Sequence, residues 1–244
     1  MRNIRIDMCY DGTRYRGWQR LSNTDNTLQE KLETTLGRIL NETVEVSASG
    51  RTDAGTHAKM QVVNVHCEST MPCEEILLQL RRYLPEDIGI YSCKNVSPRF
   101  HARLNAKTKT YVYRVWNSDA PCVFDRKFVY IDSRVLDVPA MEQAARYFLG
   151  EHDFSAFCAN KRMKKSTVRF IHQFTVMRSG DEVVFTVTGN GFLHHMVRIM
   201  VGTLLEVGRG ERTPESIQEL FGAARADAGA LIPACGLCLT EVTY

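Results

Sequence analysis

The 244-residue sequence lacks long apolar runs, and its opposite charges nearly cancel. No stretch approaches the roughly 18 apolar residues of a membrane span, so we expect no contact with a membrane. Arg2, Arg5 and Asp7 interrupt the apolar segment that a signal peptide needs, which predicts a cytoplasmic protein. The 31 basic and 28 acidic residues leave a net charge of +3, which is too small to identify a partner.

Disulfide and nucleotide-binding signatures are also missing. The eight cysteines are scattered, and a chain of this length can bury a core without disulfides, so we interpret them as reduced thiols. No glycine-rich phosphate loop or dinucleotide fingerprint is present. His66-Cys-Glu68 and Cys235-Gly-Leu-Cys238 together resemble the ligand set of a zinc-dependent nucleobase deaminase. The two pieces are distant in sequence and no second ligand pair accompanies them, so we predict no metal site.

Local charge is uneven despite the small net charge. Residues 94–118 contain six Lys or Arg and residues 158–173 contain five, and neither stretch contains an acidic residue. Aromatic side chains are interleaved with these cations, a mixture that is typical of surfaces contacting RNA through phosphates and stacked bases. The alternative is a solvated surface above strands whose aromatic residues belong to the core.

Hydrophobic periodicity predicts one pattern, β-α-β-β-α-β, occurring twice. Alternation from Arg2 to Tyr10 predicts a strand, and a Thr27/Glu30 capping box predicts a helix reaching about Asn41. In each half, the segments after the first helix continue in the order strand, strand, helix and strand. We therefore predict an α+β fold of two tandem ferredoxin-like halves with antiparallel sheets and a central cleft, divided into residues 1–105 and 106–244.

Two segments concentrate polar side chains where a site could form. The loop from Ser49 to Ala58 carries Arg51 and Asp53 between two strands, held by glycines. These two residues could instead form a surface ion pair of little energetic weight. Arg198 lies in an apolar helical pattern, where a buried cation needs a carboxylate partner, although the side chain could also extend to water.

Gly50-Arg-Thr-Asp-Ala-Gly-Thr-His57 resembles the active-site motif of the tRNA pseudouridine synthase A family. Thr56 is a departure, because the family commonly has Val there. Further matches follow in the family's order over nearly the whole chain: Tyr10-Asp-Gly with Tyr15-Arg-Gly-Trp-Gln19, Phe100-His-Ala-Arg103, Phe192-Leu-His-His-Met-Val-Arg198, and Pro233 through Leu237.

The resemblance implies isomerisation of uridine to pseudouridine in the anticodon stem-loop of tRNA by a cytoplasmic homodimer, without cofactor or metal. It implies that Asp53 is the nucleophile, that Tyr111 contacts the target base, that Arg198 partners the Asp53 carboxylate, and that Arg51 helps to extrude the base. The residues implied to contact tRNA are Phe100, His101, Ala102, Arg103, Leu104, Lys161, Arg162, Met163, Lys164 and Lys165.

A single carboxylate suits this reaction because it can form a covalent adduct, at either C1′ of the ribose or C6 of the base. Two other classes stay open from the residues alone: a non-catalytic RNA-binding module and the zinc-dependent deaminase. Against the module, an acidic side chain facing phosphates would repel them. Against a hydrolase that releases the base, the Ser49–Ala58 loop offers Asp53 without a second carboxylate.

Overall fold

A computed structural model describes residues 1–160 and 165–244. The chain forms two compact units: unit 1 comprises Met1–Lys107 with Leu239–Tyr244, and unit 2 comprises Thr108–Cys238. The division expected from the sequence, 1–105 and 106–244, keeps the last strand within the second half. In the structure this strand begins in unit 2 and its later residues belong to unit 1.

Unit 1 has the predicted β-α-β-β-α-β order. Its strands are antiparallel neighbours in the order β4-β1-β3-β2, which is the strand order of a ferredoxin-like fold. The elements are β1 (Arg2–Tyr10), α1 (Leu28–Leu40), β2 (Val46–Ala48), β3 (His57–Cys67), α2 (Cys73–Tyr83) and β4 (Ile88–Val96).

Helix α1 shows how the sequence sets these boundaries. The Thr27 side chain accepts a hydrogen bond from the backbone amide of Glu30, as the capping pattern predicts. Leu28, Leu32 and Leu36 are fully buried because their spacing places them on one face of the helix. Asn41 ends the helix with a φ of 56°, a left-handed conformation that asparagine adopts more readily than most residues.

Unit 2 repeats the pattern with two additional short strands, β6 and β7. Its strands lie in the order β5-β9-β8-β7, and β6 pairs with β5. The elements are β5 (Thr108–Trp116), β6 (Tyr130–Ile131), α3 (Val138–Arg146), β7 (Gly150–Asp153), β8 (Val168–Ser179), β9 (Glu182–Gly189), α4 (Met196–Gly208) and β10 (Leu237–Thr243), the last of which continues into unit 1.

Two helices of unit 2 differ from the helices that the sequence predicts. The helix expected near residues 193–207 begins at Met196, because His195 has a φ of 63° and cannot continue a right-handed helix. The segment Pro214–Leu220 is a 3-10 helix rather than an α-helix. Within the described ranges, no helix is both long and apolar enough to cross a membrane.

Candidate active site

The Ser49–Thr56 loop of unit 1 connects β2 to β3 and is fixed by a glutamine buried in β3. Gln61 is fully buried, and its Nε2 donates to the carbonyl of Gly50 at 2.9 Å. Its Oε1 accepts from Ser49 Oγ at 2.6 Å, and the backbone amide of Ser49 donates to the carbonyl of Val62 at 2.8 Å. Because a buried amide without partners is costly, Gln61 favours this one conformation of the loop.

The segment after β1 holds the other side of the same loop. Trp18 donates its backbone amide to the carbonyl of Thr52 at 3.0 Å, and the hydroxyls of Thr52 and Tyr10 lie 2.8 Å apart. A Cβ on Gly12 would lie 2.0 Å from the carbonyl oxygen of Thr56, and one on Gly17 would lie 2.9 Å from that of Thr52. The two glycines therefore allow a direct backbone approach that a larger residue would prevent.

Asp53 and Arg51 differ in exposure on this clamped loop. Asp53 is half-buried and its carbonyl accepts from the amide of Thr56 at 3.1 Å, in a turn that Gly55 completes with a φ of 79°. Arg51 is exposed, and within the described residues no ion pair joins it to Asp53. The ion-pair alternative for these two residues therefore has no support, and Arg51 is accessible to a ligand.

Two buried residues follow Asp53 at the start of β3. The backbone amide of Gly12 donates to His57 Nδ1 at 3.0 Å, which joins the loop to the segment after β1 a further time. Thr56 is 1% exposed, and its hydroxyl oxygen has no hydrogen-bond partner in the part of the chain that the structure describes. The threonine at this position thus places an unsatisfied polar atom in a packed environment.

Tyr111 of unit 2 lies on β5, opposite Val187 of β9. It is 7% exposed, and its ring packs edge-to-face against Phe192 with the ring centroids 5.2 Å apart. This geometry is favourable for aromatic pairs and fixes the ring plane of Tyr111. A fixed, mostly apolar ring is the type of surface on which a nucleobase can stack.

Arg198 lies in the first turn of α4 and is half-buried. Its Nε donates to the carbonyl of Ile232 at 2.8 Å. The segment that carries Ile232 lies directly on α4: a Cβ on Gly202 would lie 2.0 Å from the carbonyl oxygen of Ala230, and Thr203 Oγ1 accepts from the amide of Gly229 at 3.0 Å. Close packing of this segment therefore holds one side of the guanidinium in place.

Hydrogen bonds also define the loop after β4, which contains Phe100–Leu104. His101 Nδ1 accepts from the amide of Arg103 at 3.1 Å, and the amide of His101 donates to Asn105 Oδ1 at 2.7 Å. Ala102 is fully buried, whereas Arg103 is exposed and Leu104 is 76% exposed. Of these predicted tRNA contacts, Arg103 and Leu104 are the most accessible.

The second predicted tRNA contact is described only in part. Lys165 is exposed. The other four residues lie outside the described residues: Lys161, Arg162, Met163 and Lys164.

The residues that resemble a deaminase's zinc ligands are divided between the units, with His66 and Glu68 in unit 1 and Cys235 and Cys238 in unit 2. Cys235 Sγ donates to the carbonyl of Val129 at 3.3 Å, and burial raises the pKa of this thiol. Cys235 is therefore better explained by packing.

Gln61 holds the Asp53 loop and is not among the candidate residues indicated by the sequence. The available signal is a polar residue next to the apolar Val62 and Val63 of β3. Tyr10, Gly12, Gly17 and Trp18 belong to the matched motifs, but their positions in sequence do not reveal that they clamp the Asp53 loop.

Comparison with known proteins finds a family model that matches most of the chain and relatives that match along the whole chain. A family model described as tRNA pseudouridine synthase matches residues 8–105 and 144–244. The chain is 42% identical to tRNA pseudouridine synthase A of Bacillus sp. (strain KSM-64) over 244 residues, and both chains are covered completely. It is also 42% identical to tRNA pseudouridine synthase A 1 of Clostridium tetani over 245 residues, again with complete coverage.

A solved structure described as a Cbf5-Nop10-Gar1 complex matches with 16% identity and a TM-score of 0.34, covering 72% of this chain and 40% of that chain. This similarity is too weak to add to the fold assignment. The full-length relatives and the family model are sufficient by themselves: this chain is a member of the tRNA pseudouridine synthase family.

Proposed function

We propose that the protein isomerises uridine to pseudouridine in the anticodon stem-loop of tRNA, with Asp53 as the nucleophile. One observation carries the assignment: in a member of this family, Asp53 is presented on a loop that Gln61, Gly12, Gly17 and Trp18 hold from two sides. A carboxylate held in this way keeps its position while the substrate rearranges, which lowers the entropic part of the barrier.

The reaction needs no external redox partner, because its atoms balance within the nucleoside. The bond between C1′ and N1 of uracil breaks, the base turns, and a bond forms between C1′ and C5. C5 then loses its proton and N1 gains one, so the mass of the RNA does not change. Asp53 can stabilise the intermediate by a covalent bond, at either C1′ or C6, until the new carbon–carbon bond has formed.

The remaining site residues have separate roles in this proposal. The Tyr111 ring, held by Phe192, stacks on the target base, and its hydroxyl can move the C5 proton. Arg51, which is exposed, occupies the position vacated when the base is extruded from the stem. Arg198, held by the carbonyl of Ile232, partners the Asp53 carboxylate and fixes its orientation.

RNA binding in this proposal depends on one segment within each of the two basic stretches, residues 94–118 and 158–173. Phe100–Leu104 and Lys161–Lys165 contact the tRNA, chiefly through phosphates, and Arg103 and Lys165 are exposed as this role requires. We further propose that the enzyme acts in the cytoplasm as a homodimer, as the family resemblance implies. Equilibrium sedimentation of the purified protein tests the dimer, and a monomer at micromolar concentration would contradict it.

The test is single-turnover pseudouridine formation on an unmodified tRNA transcript, measured for wild type and Asp53→Asn. We expect the variant to lose turnover completely while tRNA affinity changes by no more than about three-fold, because the amide keeps the side-chain shape but is not a nucleophile. Asp25→Asn is the matched control, since Asp25 is 87% exposed. A tenth of the wild-type rate in Asp53→Asn would show that the nucleophile is another group.

The mass of the RNA separates this proposal from the alternative activities. Isomerisation leaves the mass unchanged, deamination adds about one dalton, and base loss removes a whole uracil. Prolonged EDTA treatment provides a second criterion, and we expect it to leave activity intact. Stoichiometric zinc that is lost together with activity would support the deaminase instead.

A further inference from the structure

Three side chains that are distant in sequence converge on the backbone of the Phe100–Leu104 loop. Asn64 Oδ1 on β3 accepts from the amide of Ala102 at 2.8 Å. Asn3 Nδ2 on β1 donates to the carbonyls of Phe100 at 2.8 Å and Ser97 at 3.0 Å. The Tyr244 hydroxyl donates to the carbonyl of Ala102 at 2.8 Å. Both polar backbone groups of Ala102 are therefore bound by side chains from other parts of unit 1.

The two asparagines are buried in neighbouring strands of the same sheet, β1 and β3. Asn3 and Asn64 are each 2% exposed, and Asn64 Nδ2 donates to Asn3 Oδ1 at 3.0 Å. A buried amide pair is costly unless its remaining groups are satisfied, and the loop backbone satisfies them. The pair therefore stabilises one position of the loop relative to the sheet, which the loop's own hydrogen bonds cannot do.

Tyr244 is itself held in place by a cation and a second ring. The Arg5 guanidinium lies 4.8 Å from the centroid of the Tyr244 ring, and the Phe100 ring centroid lies 5.0 Å from it. Asp7 fixes Arg5 through a 2.6 Å contact between Oδ1 and Nε. The Tyr244 hydroxyl is protonated at neutral pH, as in any tyrosine, and acts as a donor; burial raises its pKa further.

This arrangement separates anchored from exposed residues within a very short segment. Ala102 is fully buried, and Arg103 and Leu104, which follow it, are exposed. Arg103 therefore follows a residue, Ala102, whose backbone amide and carbonyl are both held by hydrogen bonds. Fixing the loop before RNA arrives removes part of the ordering cost of binding.

We propose that Tyr244, together with the Asn3–Asn64 pair, positions the Phe100–Leu104 loop so that Arg103 is preorganised for contact with tRNA phosphate. Tyr244 is thus a positioning residue for substrate binding and takes no part in the chemistry. The inference rests on the proposed function, in which this loop contacts tRNA.

The experiment is a double-mutant cycle on Tyr244→Phe and Arg103→Ala, with Tyr83→Phe as the matched control. Tyr244→Phe keeps the ring and removes one hydroxyl, and Tyr83 is a tyrosine of the same unit that is 58% exposed. Affinity for an unmodified tRNA transcript, single-turnover rate at saturating tRNA, melting temperature and amide exchange in the loop are measured for each protein.

We expect Tyr244→Phe to weaken tRNA binding about three- to ten-fold, as the loss of one hydrogen bond implies, with the saturating rate within about two-fold of wild type. Exchange at the amides of Ala102 and Arg103 should accelerate. In the Arg103→Ala background the same hydroxyl deletion should have little further effect on affinity, because Tyr244 acts through Arg103. Tyr83→Phe should match wild type throughout.

The experiment distinguishes failure of the proposed RNA contact from failure of the positioning role. If Arg103→Ala binds tRNA as wild type does, the loop is no RNA contact, and that part of the proposed function fails together with this inference. If Arg103→Ala binds weakly while Tyr244→Phe binds normally, or if the two losses multiply as for independent sites, the positioning role is wrong and the RNA contact stands. A lower melting temperature with unchanged affinity would mean that Tyr244 has only a structural role.

Discussion

Gly17 lies against the backbone of Thr52, the residue before the proposed nucleophile, so closely that a Cβ on Gly17 would lie 2.9 Å from the Thr52 carbonyl oxygen. The next residue, Trp18, donates its amide to that same carbonyl at 3.0 Å. The position of Asp53 therefore depends on residue 17 being glycine, because any side chain there would displace Thr52.

Gly17→Ala should displace the Asp53 loop. Gly17 has a φ of +91°, so alanine introduces both backbone strain and an overlap with Thr52. Gly222→Ala is the matched control, because Gly222 has a φ of +75° and nothing lies within 4 Å of its added Cβ. We expect Gly17→Ala to destabilise the protein by at least about 1 kcal/mol more than the control. Its single-turnover rate should fall about ten-fold or more, since small misplacements of a reacting group are costly. Equal rates for the two variants would contradict the clamp.

Thr56→Val should stabilise the protein. The Thr56 hydroxyl is buried without a partner among the described residues, and valine has nearly the same shape. Removing the unsatisfied group should raise the free energy of unfolding by about 1 kcal/mol. Thr52→Val serves as the contrast, since its hydroxyl lies 2.8 Å from that of Tyr10, and it should lower the free energy of unfolding by about 1 kcal/mol. Urea denaturation measures both, and stabilisation by both substitutions would show that burial alone decides the sign.

Asp132 should contribute stability that is lost in acid. The side chain is buried, which opposes ionisation, but bonds from Arg134 and the charge of Arg209 outweigh burial and lower the pKa of Asp132 below its ordinary value of 3.8. Because the folded pKa is the lower one, the stabilisation is complete above the unfolded pKa and disappears as the pH falls through the folded pKa. Asp132→Asn should cost about 1–3 kcal/mol at pH 7, and this difference should shrink steadily below about pH 4. A difference that is constant from pH 7 to pH 3 would contradict the assignment.

The basic stretch at residues 161–165 should contribute to the salt dependence of tRNA binding. Replacing its four cations by glutamine should weaken binding, and each lost phosphate contact should reduce the slope of log affinity against log salt by somewhat under about one unit. A control variant removes four charges elsewhere: Lys31, Arg38, Lys59 and Arg82. An unchanged slope in the first variant would show that residues 161–165 do not face the RNA.

Replacing Arg198 and Arg51 by alanine should affect melting temperature and activity differently. Arg198→Ala removes the donor to the Ile232 carbonyl and, in the proposed mechanism, leaves the Asp53 carboxylate without its partner. It should lower the melting temperature and activity together, because a partly buried carboxylate then lacks its counter-charge. Arg51→Ala should lower activity alone, because Arg51 is exposed.

A tRNA whose target base is already unpaired distinguishes the two roles further. It should partly rescue Arg51→Ala, since extrusion is no longer needed, and should not rescue Arg198→Ala. The division of roles is wrong if neither the rescue nor the melting temperature separates the variants.

Local signals in the sequence were sufficient for most of the fold. The Thr27 cap, the leucine spacing of α1 and the alternation of β1 each depend on neighbours within a few residues, and each is confirmed. The start of α4 was misplaced because the left-handed conformation of His195 carries no sequence signature comparable to glycine. Additional strands such as β7 are too short to show a period.

The candidate site was only partly predictable for a similar reason. Asp53 and Arg51 lie in a conspicuous glycine-bounded loop, but the residues that hold this loop come from elsewhere in unit 1. In the sequence, Gln61 and the Asn3–Asn64 pair are visible only as polar residues within strands, without any indication of what they bind. Gln61 binds the loop that precedes its own strand, and the two asparagines bind backbone groups 38 and 97 residues away. Periodicity contains no information about such contacts.

The hydrogen bond between Tyr244 and Ala102 spans 142 residues, which has a consequence for the order of events on the ribosome. When synthesis has passed residue 107, unit 1 has its two helices and β1 to β4 but not Leu239–Tyr244. The carbonyl of Ala102 is then without the Tyr244 donor, and the Phe100 ring lacks its neighbour. Long-range closure of this kind is slow to form. The Phe100–Leu104 loop therefore reaches its final hydrogen-bonded state only after unit 2 has been synthesised. Until then, the nascent first half lacks the complete form of its proposed RNA contact.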